Sequence, residues 1–194
     1  MLIMKNFIQI RLAKLSDIDQ ILQFETKNRE WFAQFFPHYR TTPPSEQRLR
    51  KDLCGKNAKL HYLVTCGEDK IIGRFNGQFL EYKNNSIEVS YRLDKAFINL
   101  GIAKYALKHL LLIWSSQGIQ EIYATVGDYN KPSIRVLLSC GFFVDEFCPS
   151  SVNLHSKIED GWVFRWSDLV EVKEGAYKSS EHQSYQRNGL SRQE

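Results

Sequence analysis

From Gly101 to Ser116 the apolar residues Ala103, Leu107, Leu110, Leu111 and Trp114 recur at spacings of three and four, the period of a helix with one buried face. Strand-like segments flank it, Ser86 to Leu93 before and Glu121 to Val126 after. A strand, a helix and a second strand in that order enter one sheet through a crossover that leaves the two strands parallel. No other feature constrains the chain as much. Gly118 supplies the stop of the long helix, and Lys131 to Cys140 reads as another helix.

The rest reads around this unit. Phe7 to Leu12 is a strand. Ser16 followed by Asp19 resembles a capping box with an acid in place of the usual Glu, opening a helix to about Asn28 with Ile18, Ile21, Leu22 and Glu25 on one side. The aromatics Trp31, Phe32, Phe35, Phe36 and Tyr39 follow, as a hydrophobic cap on the first helices or a groove for an acceptor, and Pro43-Pro44 halts regular structure. Ser45 caps a helix bearing Leu49 and Leu53. His61 to Cys66 and Lys70 to Tyr82 form a hairpin, and Asn84-Asn85 turns the chain into Ser86 to Leu93, giving three consecutive antiparallel strands. Phe142 to Phe147 and Trp162 to Trp166 close the pattern. The expected class is α/β (α+β), a mixed, mostly antiparallel sheet flanked by helices.

Length and composition set the limits. A chain of 194 residues, 43% hydrophobic and 25% charged, fits one core, so residues 1–170 are expected to form a single domain and 171–194 a polar, flexible tail. Lys5, Gln9 and Arg11 break the apolar N-terminus and no stretch is long enough to span a membrane, which points to the cytoplasm. Cys54, Cys66, Cys140 and Cys148 form neither CxxC nor a His/Cys cluster and read as buried, reduced thiols. His38, His61 and His155 lack partners of metal-site type, so no metal is expected. A net charge of +4 without a clustered basic face argues against direct nucleic-acid binding.

The chemistry-bearing stretch is Glu88-Val-Ser-Tyr-Arg-Leu-Asp-Lys-Ala-Phe-Ile-Asn-Leu-Gly-Ile-Ala103, a strand running through a loop into the long helix. Unpaired N–H groups and the positive end of the helix dipole suit such a junction to a pyrophosphate, with Gly101 letting the backbone approach and Ala103 keeping the first turn uncluttered. Tyr91-Arg92-Leu93-Asp94 leading to Gly101-Ile102-Ala103 resembles the cofactor loop of the GNAT acetyltransferases. Asn130, Ser133 and Gly141-Phe142 fall at the spacing used by the branch that acetylates ribosomal-protein N-termini. Asn28-Arg29-Glu30 resembles an N-terminal signature of that branch.

The resemblance implies acetyl-CoA as co-substrate, filling a V-shaped opening between the two parallel strands. It would be held by Tyr91, Arg92, Leu93, Ile98, Asn99, Leu100, Gly101, Ile102, Ala103, Asn130 and Ser133. The implied acceptor is a primary amine, a protein or peptide N-terminus ahead of a polyamine or amino sugar, and resemblance alone suggests a homodimer. Three residues depart from the pattern. Ile98 and Asn99 stand where the family has Gln or Arg and then Gly, and Leu137 stands where many members carry a Tyr that protonates the leaving thiolate. Acyl transfer to an amine requires a neutral amine, a polarised carbonyl and a proton for sulfur. Glu88 is the candidate to take the amine's proton or hold the ammonium, against a plain solvated strand residue. Ser133 is the candidate acid, or only a coenzyme contact. Backbone N–H groups around Tyr91 to Leu93 would meet the carbonyl oxygen. Asn130 is open between a pantetheine contact and an N-cap, and Tyr91 between a substrate-side and a sheet-face aromatic. The departures keep a non-catalytic acyl-CoA-binding module as the alternative.

Overall fold

Among the described residues, seven strands lie in the order β1-β2-β3-β4-β5-β7-β6, and of these only β4 and β5 run parallel. The strands are β1 (Ile8–Leu12), β2 (His61–Cys66), β3 (Lys70–Phe79), β4 (Ser86–Leu93), β5 (Glu121–Gly127), β6 (Phe143–Leu154) and β7 (Lys157–Ser167). The helices are α1 (Ile18–Lys27), α2 (Arg29–Phe32), α3 (Glu46–Cys54), α4 (Ile102–Ser116) and α5 (Lys131–Ser139). This computed structural model describes residues 8–36, 42, 44–55, 60–154 and 157–168. Phe7, His38, Tyr39, Pro43, His155 and the tail from Lys173 lie outside the described residues.

The sheet divides two cores. On one face α4 buries Ile102, Ala106, Leu107, Leu110, Leu111 and Trp114 against Tyr62, Val64, Phe75, Ile87 and Val89. The opposite face carries a smaller cluster in which Ile18, Ile21 and Phe24 of α1, Phe32 of α2, and Leu49 and Leu53 of α3 cover Leu63 and Ile71. The alternation of β4 sends Ile87 and Val89 toward α4 and Glu88, Ser90 and Arg92 toward α1.

Several local expectations are corrected. Asp17, not the Ser16 and Asp19 pair, organises the entry to α1: its carboxylate accepts from the Lys14 N–H at 2.7 Å and from Arg11 at 2.8 and 3.0 Å. The Arg11 bonds hold that carboxyl below its ordinary pKa against the effect of burial. β3 ends at Phe79, short of Tyr82, whereas the β6–β7 pair extends well past the segments that alternation marks, with register shifts after Val144 and Cys148. Of the four free thiols only Cys140 is buried, and burial pushes it up; Cys54 is exposed, Cys66 and Cys148 half-buried. Ser45 caps α3 as expected, its hydroxyl accepting from the Arg48 N–H.

Candidate active site

The parallel ladder joins β4 to β5 only over Ser86–Glu88, opposite Glu121–Tyr123, yet β4 runs on to Leu93 and β5 to Gly127. Beyond Glu88 the two strands are no longer paired, so the sheet opens at its centre. β5 is held open from its far side by an unbroken antiparallel ladder to β7, from Glu121 to Gly127. At the rim the Tyr129 ring lies over Gly127, where a Cβ would stand 2.2 Å from it, and the Tyr129 hydroxyl donates to the Phe35 carbonyl. A side chain at Gly127 would displace that ring.

At the end of β4 the chain turns through Lys95–Phe97 into the loop ahead of α4. Asp94 is buried and accepts from the Ala96 N–H at 2.9 Å and from Lys27 Nζ at 2.7 Å. Burial raises its pKa, and these bonds together outweigh that and leave it lowered. Asn28 Oδ1 accepts from the Lys95 N–H, so the end of α1 fixes this loop. Asn99 (φ 60°) and Gly101 (φ 74°) are both left-handed. A Cβ on Gly101 would meet nothing within 4 Å, so glycine is needed there for its φ rather than for space. Asn99 is among the few residue types other than glycine that take this backbone readily, which accounts for the departure at that position. The first bond of α4 runs from the Tyr105 N–H to the Gly101 carbonyl, so the N–H groups of Ile102, Ala103 and Lys104 precede it, and no acid occupies the first turn. These features fit a pyrophosphate.

Tyr91 leaves β4 toward α5. Its hydroxyl stands 2.8 Å from Ser133 Oγ and 3.3 Å from the Ser133 carbonyl, and its ring stacks on Phe75 at 5.1 Å. Burial pushes the phenol well above its ordinary pKa, so it stays protonated. Asn130 Oδ1 accepts from the Ser133 N–H, the N-cap role. Leu137 is fully buried in the core; the phenol in this corner comes from β4 instead. The pairing of Tyr91 with Ser133 has no signal in the sequence, because 42 residues separate them.

Glu88 lies on the other face. Its Oε1 accepts from the Thr125 hydroxyl at 2.7 Å, a side-chain bridge across the point where the ladder ends. It lines a cavity of about 570 Å³ whose floor includes His61, Arg74, Asn76, Ser90 and Arg92. Glu25 of α1 reaches down to Arg74 at 2.5 Å and to Arg92 at 3.3 Å. Phe36 lies over the Arg92 guanidinium at 5.4 Å, so the aromatic segment divides: Phe32 caps the core and Phe36 walls the cavity. Burial, and then the Arg74 charge, hold His61 below its ordinary pKa, so it is neutral at pH 7. Sequence reasoning missed Glu25, Arg74 and His61 as cavity residues. The Arg92 side chain turns into this cavity, so toward the opening between β4 and β5 the residue offers its backbone.

A family model described as an acetyltransferase (GNAT) domain matches residues 8–143. The chain belongs to the GNAT family. It is an acetyl-CoA-dependent acyltransferase. A probable N-acetyltransferase, YjcK of Bacillus subtilis, is 25% identical over 162 residues, covering 79% of this chain and 90% of its own. In fold the GNAT chain resembles the RimL ribosomal L7/L12 α-N-protein acetyltransferase solved with coenzyme A. That structure gives a TM-score of 0.74 at 20% identity, over 84% of this chain and 96% of the other. A ribosomal-protein-S5-alanine acetyltransferase from Vibrio fischeri gives 0.71 at 22%, over 83% and 93%.

Proposed function

We propose that this enzyme acetylates the N-terminal amine of a protein or peptide, with Glu88 serving the amine and Ser133 the leaving sulfur. One observation carries the reading. Where the β4–β5 ladder ends, β4 places Glu88 on one face of the sheet and Tyr91, bonded to Ser133, on the other. The amine then approaches from the α1 side and the thiol leaves on the α5 side.

Loop residues Ile98 to Ala103 offer main-chain donors to the pyrophosphate, and backbone N–H groups of Tyr91 to Leu93 polarise the thioester carbonyl. Glu88 takes a proton from the ammonium, directly or through water, or holds the amine as it loses one. The amine nitrogen bonds to the carbonyl carbon, the C–S bond breaks, and the sulfur receives the Ser133 hydroxyl proton. As the products leave, Ser133 regains a proton from solvent, while Tyr91, which stays protonated, holds the serine hydroxyl in place. An N-terminal α-amine has a pKa of about 7.7–8.0, against about 10.4 for a lysine, so a single half-exposed carboxylate suits the former better. The folds of the ribosomal-protein acetyltransferases support the same choice.

The test offers acetyl-CoA with peptides bearing a free Ala or Ser N-terminus, the same peptides blocked at that amine but containing lysine, and a polyamine and an amino sugar. Acetylation of the free-N-terminal peptides alone is expected, read as mass gain on the first residue and release of free thiol. Equal turnover of blocked lysine peptides, or turnover of the small amines only, contradicts it.

A further inference from the structure

We infer that Thr125 is a positioning residue for the acyl transfer: its hydroxyl draws the Glu88 carboxylate toward the opening between β4 and β5 and leaves the second carboxylate oxygen to meet the acceptor amine. The inference rests on the reading of Glu88 as the group that serves the amine, and it adds what aims that group.

Glu88 is the last residue of β4 paired with β5, and its register partner there is Tyr123. Its Oε1 nevertheless accepts from the Thr125 hydroxyl at 2.7 Å. Thr125 lies two residues further along β5, about 7 Å toward the end where the strands are unpaired. The carboxylate is therefore drawn diagonally along the sheet. Measured along the strands, that shift carries it toward the level of Ser90, nearer the Tyr91 to Leu93 backbone assigned to the thioester carbonyl. Tyr123 does not compete for it, because its own hydroxyl donates to Glu121 at 2.8 Å. Gln78, the register partner on β3, stands on the far side of Glu88 from β5.

The hydroxyl at this position answers no need of the fold. A branched Cβ suits threonine to a strand, and valine would serve the sheet equally. Burial makes no demand either, since Thr125 is exposed and water would satisfy its hydroxyl. Glu88 is the side that depends on the bond. Among the described residues it is the one hydrogen bond that the Glu88 carboxylate receives. A glutamate side chain otherwise turns about its χ angles, and a proton acceptor works only within hydrogen-bond reach of the proton it takes. A hydroxyl donating to one oxygen fixes those angles and keeps the lone pairs of the other for the ammonium. Each reacting side chain is then held by one hydroxyl, Ser133 by Tyr91 and Glu88 by Thr125.

The experiment gives the full-length enzyme acetyl-CoA and a peptide with a free Ala N-terminus, and reads thiol release in wild type, Thr125→Val, Thr125→Ser, Glu88→Ala and the double variant Glu88→Ala, Thr125→Val. Valine keeps the shape and strand preference of threonine, so the fold is retained. At pH 7, Thr125→Val should lower kcat about fivefold or more, with the KM for acetyl-CoA within about twofold of wild type, and Thr125→Ser should bring kcat back to within about twofold. The deficit of Thr125→Val should shrink above about pH 9, where the amine sheds its proton unaided. In Glu88→Ala, which has no carboxylate to aim, adding Thr125→Val should change kcat by less than about twofold. A wild-type kcat in Thr125→Val, a loss that serine does not restore, a deficit constant across pH, or an undiminished further loss in the Glu88→Ala background overturns the inference. The two readings fail separately. A Glu88→Ala enzyme as fast as wild type removes Glu88 and Thr125 together, whereas a slow Glu88→Ala beside a normal Thr125→Val removes Thr125 alone. If the peptide is not a substrate, spermidine and glucosamine replace it and the same kcat comparisons decide; no thiol release by wild type with any of the three overturns both readings.

Discussion

Ser133→Ala should lower kcat about a hundredfold with a much smaller change in the KM for acetyl-CoA. A positioned proton donor contributes about 10²–10⁴ in rate, and water entering the gap left by a missing hydroxyl recovers part of it, so the low end is expected. The loss falls on kcat because the hydroxyl matters most when the C–S bond is breaking. Tyr91→Phe should act through the same serine and cost less, about tenfold, since Ser133 keeps its own proton but loses the neighbour 2.8 Å away that orients its hydroxyl. Combined, the two substitutions should cost little more than Ser133→Ala alone, because they remove one device. Steady-state kinetics on the three variants checks this. Unchanged kcat in Ser133→Ala, or a fully additive double variant, would reduce Ser133 to a contact with the coenzyme.

The largest stability effect belongs to Glu25. It is a carboxylate on a helix whose other inward residues, Ile18, Ile21 and Phe24, are apolar, and it is buried with Arg74, itself 4% exposed. Removing one partner of a buried pair costs about 3–5 kcal/mol, because the charge left behind is neither paired nor hydrated. In Glu25→Ala two guanidiniums lose that carboxylate at once. For a chain of this size the melting temperature should fall by roughly 6–20 °C. Glu25→Leu combined with Arg74→Leu should recover much of this, since well-packed apolar residues often replace a buried ion pair without loss. Thermal unfolding of both variants provides the check, and a shift of only a degree or two in Glu25→Ala would mean that the pair is hydrated and contributes little.

How far such a site can be read from sequence depends on the range of each signal. The α4 periodicity, the turn residues before β4 and the order strand, helix, strand are local, and they place β2, β4, β5 and α4 to within a residue. The opening at β4 and β5 was expected only from the resemblance to the GNAT loop, because the ladder's end after Glu88 depends on tertiary geometry. Asn99 read as a departure because residue identity hides what the backbone shows: the left-handed turn is kept by another residue able to adopt it. The cavity beside Glu88 was not legible. Glu25 and Arg74 are 49 residues apart and Glu25 and Arg92 are 67 apart, so although Glu25 falls on the apolar side of its helix and Arg92 in the cofactor stretch, nothing local pairs them. β6 and β7 were read short for a related reason. Hairpin arms at a sheet edge are held by backbone pairing and need not alternate apolar and polar residues.

The most direct test of the two-faced arrangement is the pH dependence of thiol release with a free-N-terminal peptide, measured for wild type and Glu88→Gln. If Glu88 removes the amine's proton, the variant should be at least tenfold slower at pH 7 and should rise with pH as the amine, with its pKa of about 7.7–8.0, sheds the proton unaided, nearing wild type above about pH 9. Profiles that superimpose, or a deficit that stays constant across the range, would contradict a proton-accepting role for Glu88 on the acceptor face.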